Sequence, residues 1–260
     1  MNEPFSGQET GAPLAPPEPV SQPQAVRVAL PTLVPMATYI ILGFTVLVYL
    51  LQMASTAILN GDDLPLMLGA RVTELIRNGQ WWRFITPVFL HGSVTHIFFN
   101  MYALLSIGSF LERHFGHGRF VLLYFLGAFS GNVFSFLLTD GYSVGASTAV
   151  FGLVAAEVIF FYQNRKLFGG QAKQAIGNAV FVIAINLFIG LTPGIDNWGH
   201  VGGLLGGAMF AWFAGPRWEV VGISPDFHLH DQRESREVIF GAGAALLVFG
   251  AMAVWGLFSG

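Results

Sequence analysis

Four polar residues in an otherwise apolar chain have the types and spacing to do chemistry together: Ser147, His200, His96 and Asn100. A serine hydroxyl becomes a nucleophile when an imidazole within about 2.6–3.2 Å can take its proton. His96 and Asn100 are spaced i, i+4, so on a helix they leave one face and aim two donors at one spot. Ser147 opens an apolar run just after Gly145, where free backbone N–H groups and the positive helix end favour a developing negative charge. In the run that carries His200, Gly203 and Gly207 fall on the histidine's own face at i+3 and i+7. A stripe of small residues of this kind lets a second helix come close. Nucleophile, base and oxyanion donors are the parts of acyl transfer. Singly, each has a plainer explanation: Ser147 as a helix cap, the glycines as packing, His96 and Asn100 as bonds to neighbouring helices.

The elements that position them must be membrane helices. Of the 260 residues 53% are hydrophobic and only 10% are charged, against about 25% charged in soluble domains. With a mean hydropathy of +0.60, too little polar surface is left to solvate a compact domain in water, which excludes an ordinary soluble enzyme. A net charge of -3 gives no reason to expect nucleic acid as a partner, and zero cysteines exclude disulfides and thiolate chemistry. Residues 1–31 hold most of the prolines among Gln, Glu and Ser and read as a disordered tail. They lack the basic start and cleavage site of a signal peptide, so the next apolar run is expected to stay in the mature protein.

Seven apolar runs approach the roughly 20 residues that cross a bilayer as a helix. They lie at about Met36 to Thr56, His91 to Leu111, Phe120 to Thr139, Ser147 to Gln163, Ala175 to Leu191, Gly199 to Ala214 and Val238 to Phe258. The connection Leu59 to Leu90, with Trp81, Trp82 and Arg83, reads as interfacial or partly embedded. The fold class is therefore an all-α polytopic membrane protein: a core over 32–215, a cytoplasmic loop over 216–236 and a further transmembrane helix over 237–260. If the N-terminus is cytoplasmic, nine of the twelve Lys and Arg residues collect on that side, and only Arg71, Arg77 and Arg83 face the other. That asymmetry sets the orientation and brings His96, Asn100, Ser147 and His200 to one depth near the outer face. Glu157 reads as the only acid inside a span. It lies about 15 Å deeper than Ser147, too far to orient His200.

Three stretches carry a family resemblance. Gly-Ala-Ser-Thr-Ala-Val-Phe-Gly (145–152), Gly-His-Val-Gly-Gly-Leu-Leu-Gly-Gly (199–207) and His-Gly-Ser-Val-Thr-His-Ile-Phe-Phe-Asn-Met (91–101) resemble the signatures of rhomboid intramembrane serine proteases, from about Leu33 to Ala214. Trp82 and Arg83 are similar to the Trp-Arg pair of the family's first loop, and the seventh span to its six-plus-one layout. The resemblance implies Ser147 as nucleophile, His200 as base, and an oxyanion hole of the Ser147 N–H, His96 and Asn100. It puts Phe151 where the family usually stacks a tyrosine on the histidine, and Thr148 where the family usually has glycine. A β-branched residue there is expected to crowd the site. The resemblance further implies transmembrane protein substrates with a helix-weakening segment, entering between the second and fifth spans, and no cofactor.

His91 lies off the face of His96 and reads as a structural bond to the embedded loop. The loop Gly190 to Gly199 is a candidate mobile cap. No H-E-x-x-H or phosphate-binding loop occurs, so no metal or nucleotide is expected. Two other classes compete: an inactive rhomboid-like protein that binds membrane helices, and a proton-coupled transporter using Glu157, His96 and His200, although the latter predicts internal repeats that are not seen.

Overall fold

The computed structural model describes residues 33–223 and 226–259; the proline-rich stretch 1–31 lies outside the described residues. Seven long helices account for the apolar runs: α1 (Met36–Ile58), α2 (Val94–Phe115), α3 (His117–Leu138), α4 (Ser147–Gln163), α5 (Gly170–Ile189), α6 (Asn197–Ala214) and α7 (Ser235–Phe258). Five of them are long and apolar enough to cross a membrane. The other two, α4 and α6, sit with α3 at the centre of the bundle. They face protein more than lipid, so they can be shorter and carry polar residues.

Glycine builds that centre. On one side of α6, a Cβ added at Gly203 would run into the carbonyl of Thr148, and one at Gly207 into the backbone of Gly152. On the adjacent side, a Cβ at Gly202 would sit 2.6 Å from Ser130 O, and one at Gly206 would overlap the Ser130 hydroxyl. Between α3 and α4, Gly127 faces Gly152 backbone to backbone. The α6 helix thus carries two glycine faces, one for α4 and one for α3, and in lipid this close van der Waals packing replaces the hydrophobic drive that holds helices together in water.

The α1 helix is tied mainly by polar groups. The second span runs past Leu111 to Phe115, so Glu112, fully buried, lies inside it. Glu157 is therefore not the only acid in a span. Glu112 accepts from the backbone N–H groups of Ala37 (2.8 Å) and Thr38 (2.7 Å), from the Thr38 hydroxyl (2.6 Å) and from His117 Nδ1 (2.5 Å). The α1 helix has no side-chain cap of its own, and this carboxylate satisfies its orphan N–H groups from another helix. Glu157 is partly buried.

The segment 59–90 folds into short helices and 3-10 turns, with Ile76, Phe84 and Val88 buried. Arg83 is buried in it and donates to Ala70 O (2.5 Å), Met67 O (2.7 Å) and Gln80 Oε1 (2.7 Å), while exposed Trp82 donates to Leu68 O (3.0 Å). A two-residue strand β1 (Arg71–Val72) pairs antiparallel with β2 (Tyr142–Ser143), and Asn132 Nδ2 of α3 donates to Phe84 O at 3.0 Å. The embedded segment is thereby bound to the central helix.

The stretch 216–236 is not the plain loop its polarity suggests. It contains an antiparallel hairpin, β3 (Trp218–Ile223) and β4 (Asp226–Asp231), pinned by Arg119 Nη1 on Asp231 Oδ2 at 2.5 Å. His228 and His230 are exposed along β4.

Replacing Gly207 by Ala puts a methyl into the Gly152 backbone and is expected to cost about 1–3 kcal/mol of stability. Gly250 on α7 has nothing within 4 Å of an added Cβ, so Gly250→Ala is expected to change stability by less than about 0.5 kcal/mol. Thermal unfolding of the two variants in one detergent compares them directly.

Candidate active site

The α4 helix begins where the chain leaves β2 through Gly145, whose φ of +129° only glycine adopts readily. Gly145 N–H donates to Pro87 O at 2.9 Å, which holds the turn against the embedded segment. The N-cap of α4 is Ala146 and makes no side-chain cap bond. Ser147 is the first residue inside the helix, and its Oγ lies 3.0 Å from His200 Nε2. The Phe151 ring stacks on the His200 ring, centroids 4.2 Å apart and planes within 4°. Ser147 keeps partial exposure while His200 is buried, so the hydroxyl is the accessible member of the pair.

Ser93 caps α2 by accepting the His96 N–H at 3.1 Å. The His96 ring then lies against Gly145, where an added Cβ would stand 2.7 Å from Cε1 and Nε2. Asn100, one turn on and buried, donates from Nδ2 to the His96 carbonyl at 3.1 Å. The second amide hydrogen has no partner among the described hydrogen bonds and is free for a ligand oxygen.

His91 supports the same turn before α4: its Nε2 accepts the Ala146 N–H at 3.4 Å, and its ring packs edge-on against His96. It is a prop under the first turn of α4. Thr148 does not crowd the serine. Being one residue on, it is turned about 100° away around the helix, and its methyl lies in the notch between Gly131 of α3 and Gly199 of α6.

Asp196 belongs to the same assembly. It caps α6 through Gly199 N–H at 3.0 Å and also takes hydrogen bonds from Ser135 and from Thr139 Oγ1 (2.8 Å). The N–H of His200 donates to its backbone carbonyl at 3.2 Å. Burial would raise its pKa, but the bonds from Ser135, Ser143, Gly199 and Thr139 outweigh burial and hold it below the usual aspartate range. One carboxylate therefore ties α3, β2 and the first turn of α6 together beside the histidine. An acid immediately before an apolar run is a cap signal and could have singled it out.

A helical bundle that hydrogen-bonds a partly exposed serine to a buried histidine beneath one face defines a polytopic membrane protein with hydrolase-like geometry. Residues 78–217, more than half of the chain, match the model of the Rhomboid domain, and the chain belongs to the rhomboid family. It is 38% identical over 175 residues to "Rhomboid protease GluP" of Bacillus subtilis (strain 168), a match covering 66% of this chain and 34% of that protein. It is 34% identical over 155 residues to "RHOMBOID-like protein 9, chloroplastic" of Arabidopsis thaliana, covering 59% and 36%, and 37% identical over 145 residues to "RHOMBOID-like protein 4" of the same plant, covering 55% and 36%. The matched stretch spans about a third of the length of each of these relatives.

A carboxylate whose pKa is depressed by folding contributes stability at pH values above its ordinary pKa, and the contribution is lost as pH falls through the folded value. Asp196→Asn is therefore expected to lower stability by about 2 kcal/mol at neutral pH. The gap to wild type should close on acidification below the ordinary aspartate value. Unfolding midpoints measured across pH for both proteins check this, and a gap independent of pH contradicts it.

Proposed function

We propose that the chain is an intramembrane serine endopeptidase that hydrolyses peptide bonds in or beside the transmembrane helices of other membrane proteins. The observation that carries the reading is the 3.0 Å contact between Ser147 Oγ and His200 Nε2. Ser147 attacks the substrate carbonyl while His200 takes its proton, with no acidic third member. The oxyanion is stabilised by the Ser147 N–H and by the side chains of His96 and Asn100. His200 then returns the proton to the leaving amine, and a water, deprotonated by the same imidazole, releases the acyl group and regenerates the serine.

Phe151, stacked flat on His200, keeps the imidazole in the plane that faces Ser147. Gly203 and Gly207 permit the helix approach that the proton transfer needs, while His91, Gly145 and Arg83 support the turn that carries the serine. The short α4, 17 residues long, spans less than the roughly 30 Å of a bilayer core. Its first residue therefore stands below the membrane surface, where water can reach it. The excess of cations toward the far end of the bundle favours a cytoplasmic N-terminus, with the serine opening to the opposite side. A bacterial plasma membrane is the setting we assign.

Purified protein in detergent is expected to label at Ser147 with a fluorophosphonate and to cleave a model transmembrane substrate. Ser147→Ala and His200→Ala should each abolish cleavage. A wild-type protein that neither labels nor cleaves, and behaves as Ser147→Ala does, overturns the protease reading and leaves a helix-binding rhomboid-like protein in its place. His96→Ala and Asn100→Ala are each expected to lower kcat by about 10²–10³ with little change in KM, because they contact the oxyanion and not the ground-state carbonyl. Steady-state kinetics on the model substrate separates the two constants.

A further inference from the structure

At the end of the bundle away from Ser147 lies an open-sided cavity of about 1010 Å³, between the approach to α1, the last turns of α2 and the first turns of α5. That volume lies at the upper end of the range usual for small-molecule sites, far more than an inorganic ion needs. Aromatic rings of Phe110, Phe161 and Phe168 form part of its wall. Its α2 wall also carries Arg113, exposed and with no ion-pair partner among the described residues. The neighbouring acid, Glu112, is fully used by the α1 terminus and His117.

Two further polar atoms, buried within residues that line the cavity, have no partner among the described residues. His114 is bound through Nδ1 to Phe110 O at 2.8 Å, so in the neutral ring that nitrogen donates and Nε2 is left as an acceptor. That Nε2 is buried and unpartnered among the described residues, as is the hydroxyl of Ser109, one turn before Arg113. Across the cavity α5 offers the amides of Gln171, Gln174 and Asn178. A cation and amide donors, set over apolar walls at the end of membrane helices, complement a phosphodiester that carries acyl chains. Basic pockets between helices near the membrane surface favour anionic lipid headgroups.

We propose that this cavity is a binding site for an anionic glycerophospholipid of the leaflet bordering that end of the bundle. Arg113 and the α5 amides hold the phosphate. The acyl chains lie along the aromatic walls and the divergence of α2 from α5, whose only buried residues are Ala172 and Ala179.

Native mass spectrometry of the full chain, released from detergent containing equal amounts of phosphatidylglycerol and phosphatidylcholine, tests the site. The wild type is expected to retain phosphatidylglycerol over phosphatidylcholine by roughly tenfold. Arg113→Ala should fall to near parity, and Asn178→Phe, which fills the cavity, should also lose the preference. Arg236→Ala, whose cation lies outside the cavity, should keep it, and unfolding midpoints of all variants report whether each is folded. Equal retention of the two lipids by the wild type overturns the site, as it would if residues 1–32 filled the cavity instead. So does an unchanged preference in either cavity variant.

Discussion

The contact on which the rest of the structure depends is the meeting of α4 and α6 without side chains between them. Gly203 and Gly207 bring the α6 backbone against the carbonyl of Thr148 and the backbone of Gly152. Only at that separation can His200 Nε2 stand 3.0 Å from Ser147 Oγ, because both side chains are short relative to an ordinary helix spacing of 8–10 Å. The third helix takes part on equal terms, since Gly202 and Gly206 press α6 against Ser130. Packing and chemistry are here one requirement: a methyl group added to this seam would push apart the two atoms that must exchange a proton.

Around that seam the polar residues divide the work of holding the bundle in register. Asp196 binds α3, β2 and the head of α6, Arg83 gathers the backbone of the embedded segment, and Glu112 caps α1. Lipid offers these groups no alternative partner, so each is satisfied within the protein. The geometry they impose reaches the site through the backbone. His91 and Pro87 fix the turn before Ser147 from one side, and Asp196 fixes the turn before His200 from the other.

Much of this was legible in the sequence. The seven apolar runs lie within a few residues of α1 to α7, since the length and hydropathy of a lipid-crossing helix leave little freedom. Polar residues at one depth pointed to Ser147, His200, His96 and Asn100, because intramembrane polar groups are rare enough to be noticed. What stayed hidden depends on direction rather than composition. Placing the end of α2 at Leu111 instead of Phe115 left Glu112 outside the membrane and its clasp on α1 invisible. Thr148 reads as an obstruction until the helix is built and its methyl falls into the Gly131 and Gly199 notch. The hairpin β3–β4 escapes because six-residue strands in a short polar connection carry no strong periodic signal.

The α1 helix has a bearing on assembly. Only four of its residues are buried, Thr38, Ile41, Thr45 and Gln52, and three of these are polar. Thr38 is latched by Glu112 at one end, and Gln52 bonds to Asp63 and to the N–H and carbonyl of His91 at the other. The two latches are separated by 14 positions, about 21 Å along the axis. A helix so apolar elsewhere can wait alone in lipid after synthesis, as a finished cylinder with two sticky points. When its partners arrive, those points act as a vernier: both close together only at one axial offset and one rotation, so alignment is chosen by matching two distant polar spots rather than by gradual burial of greasy surface.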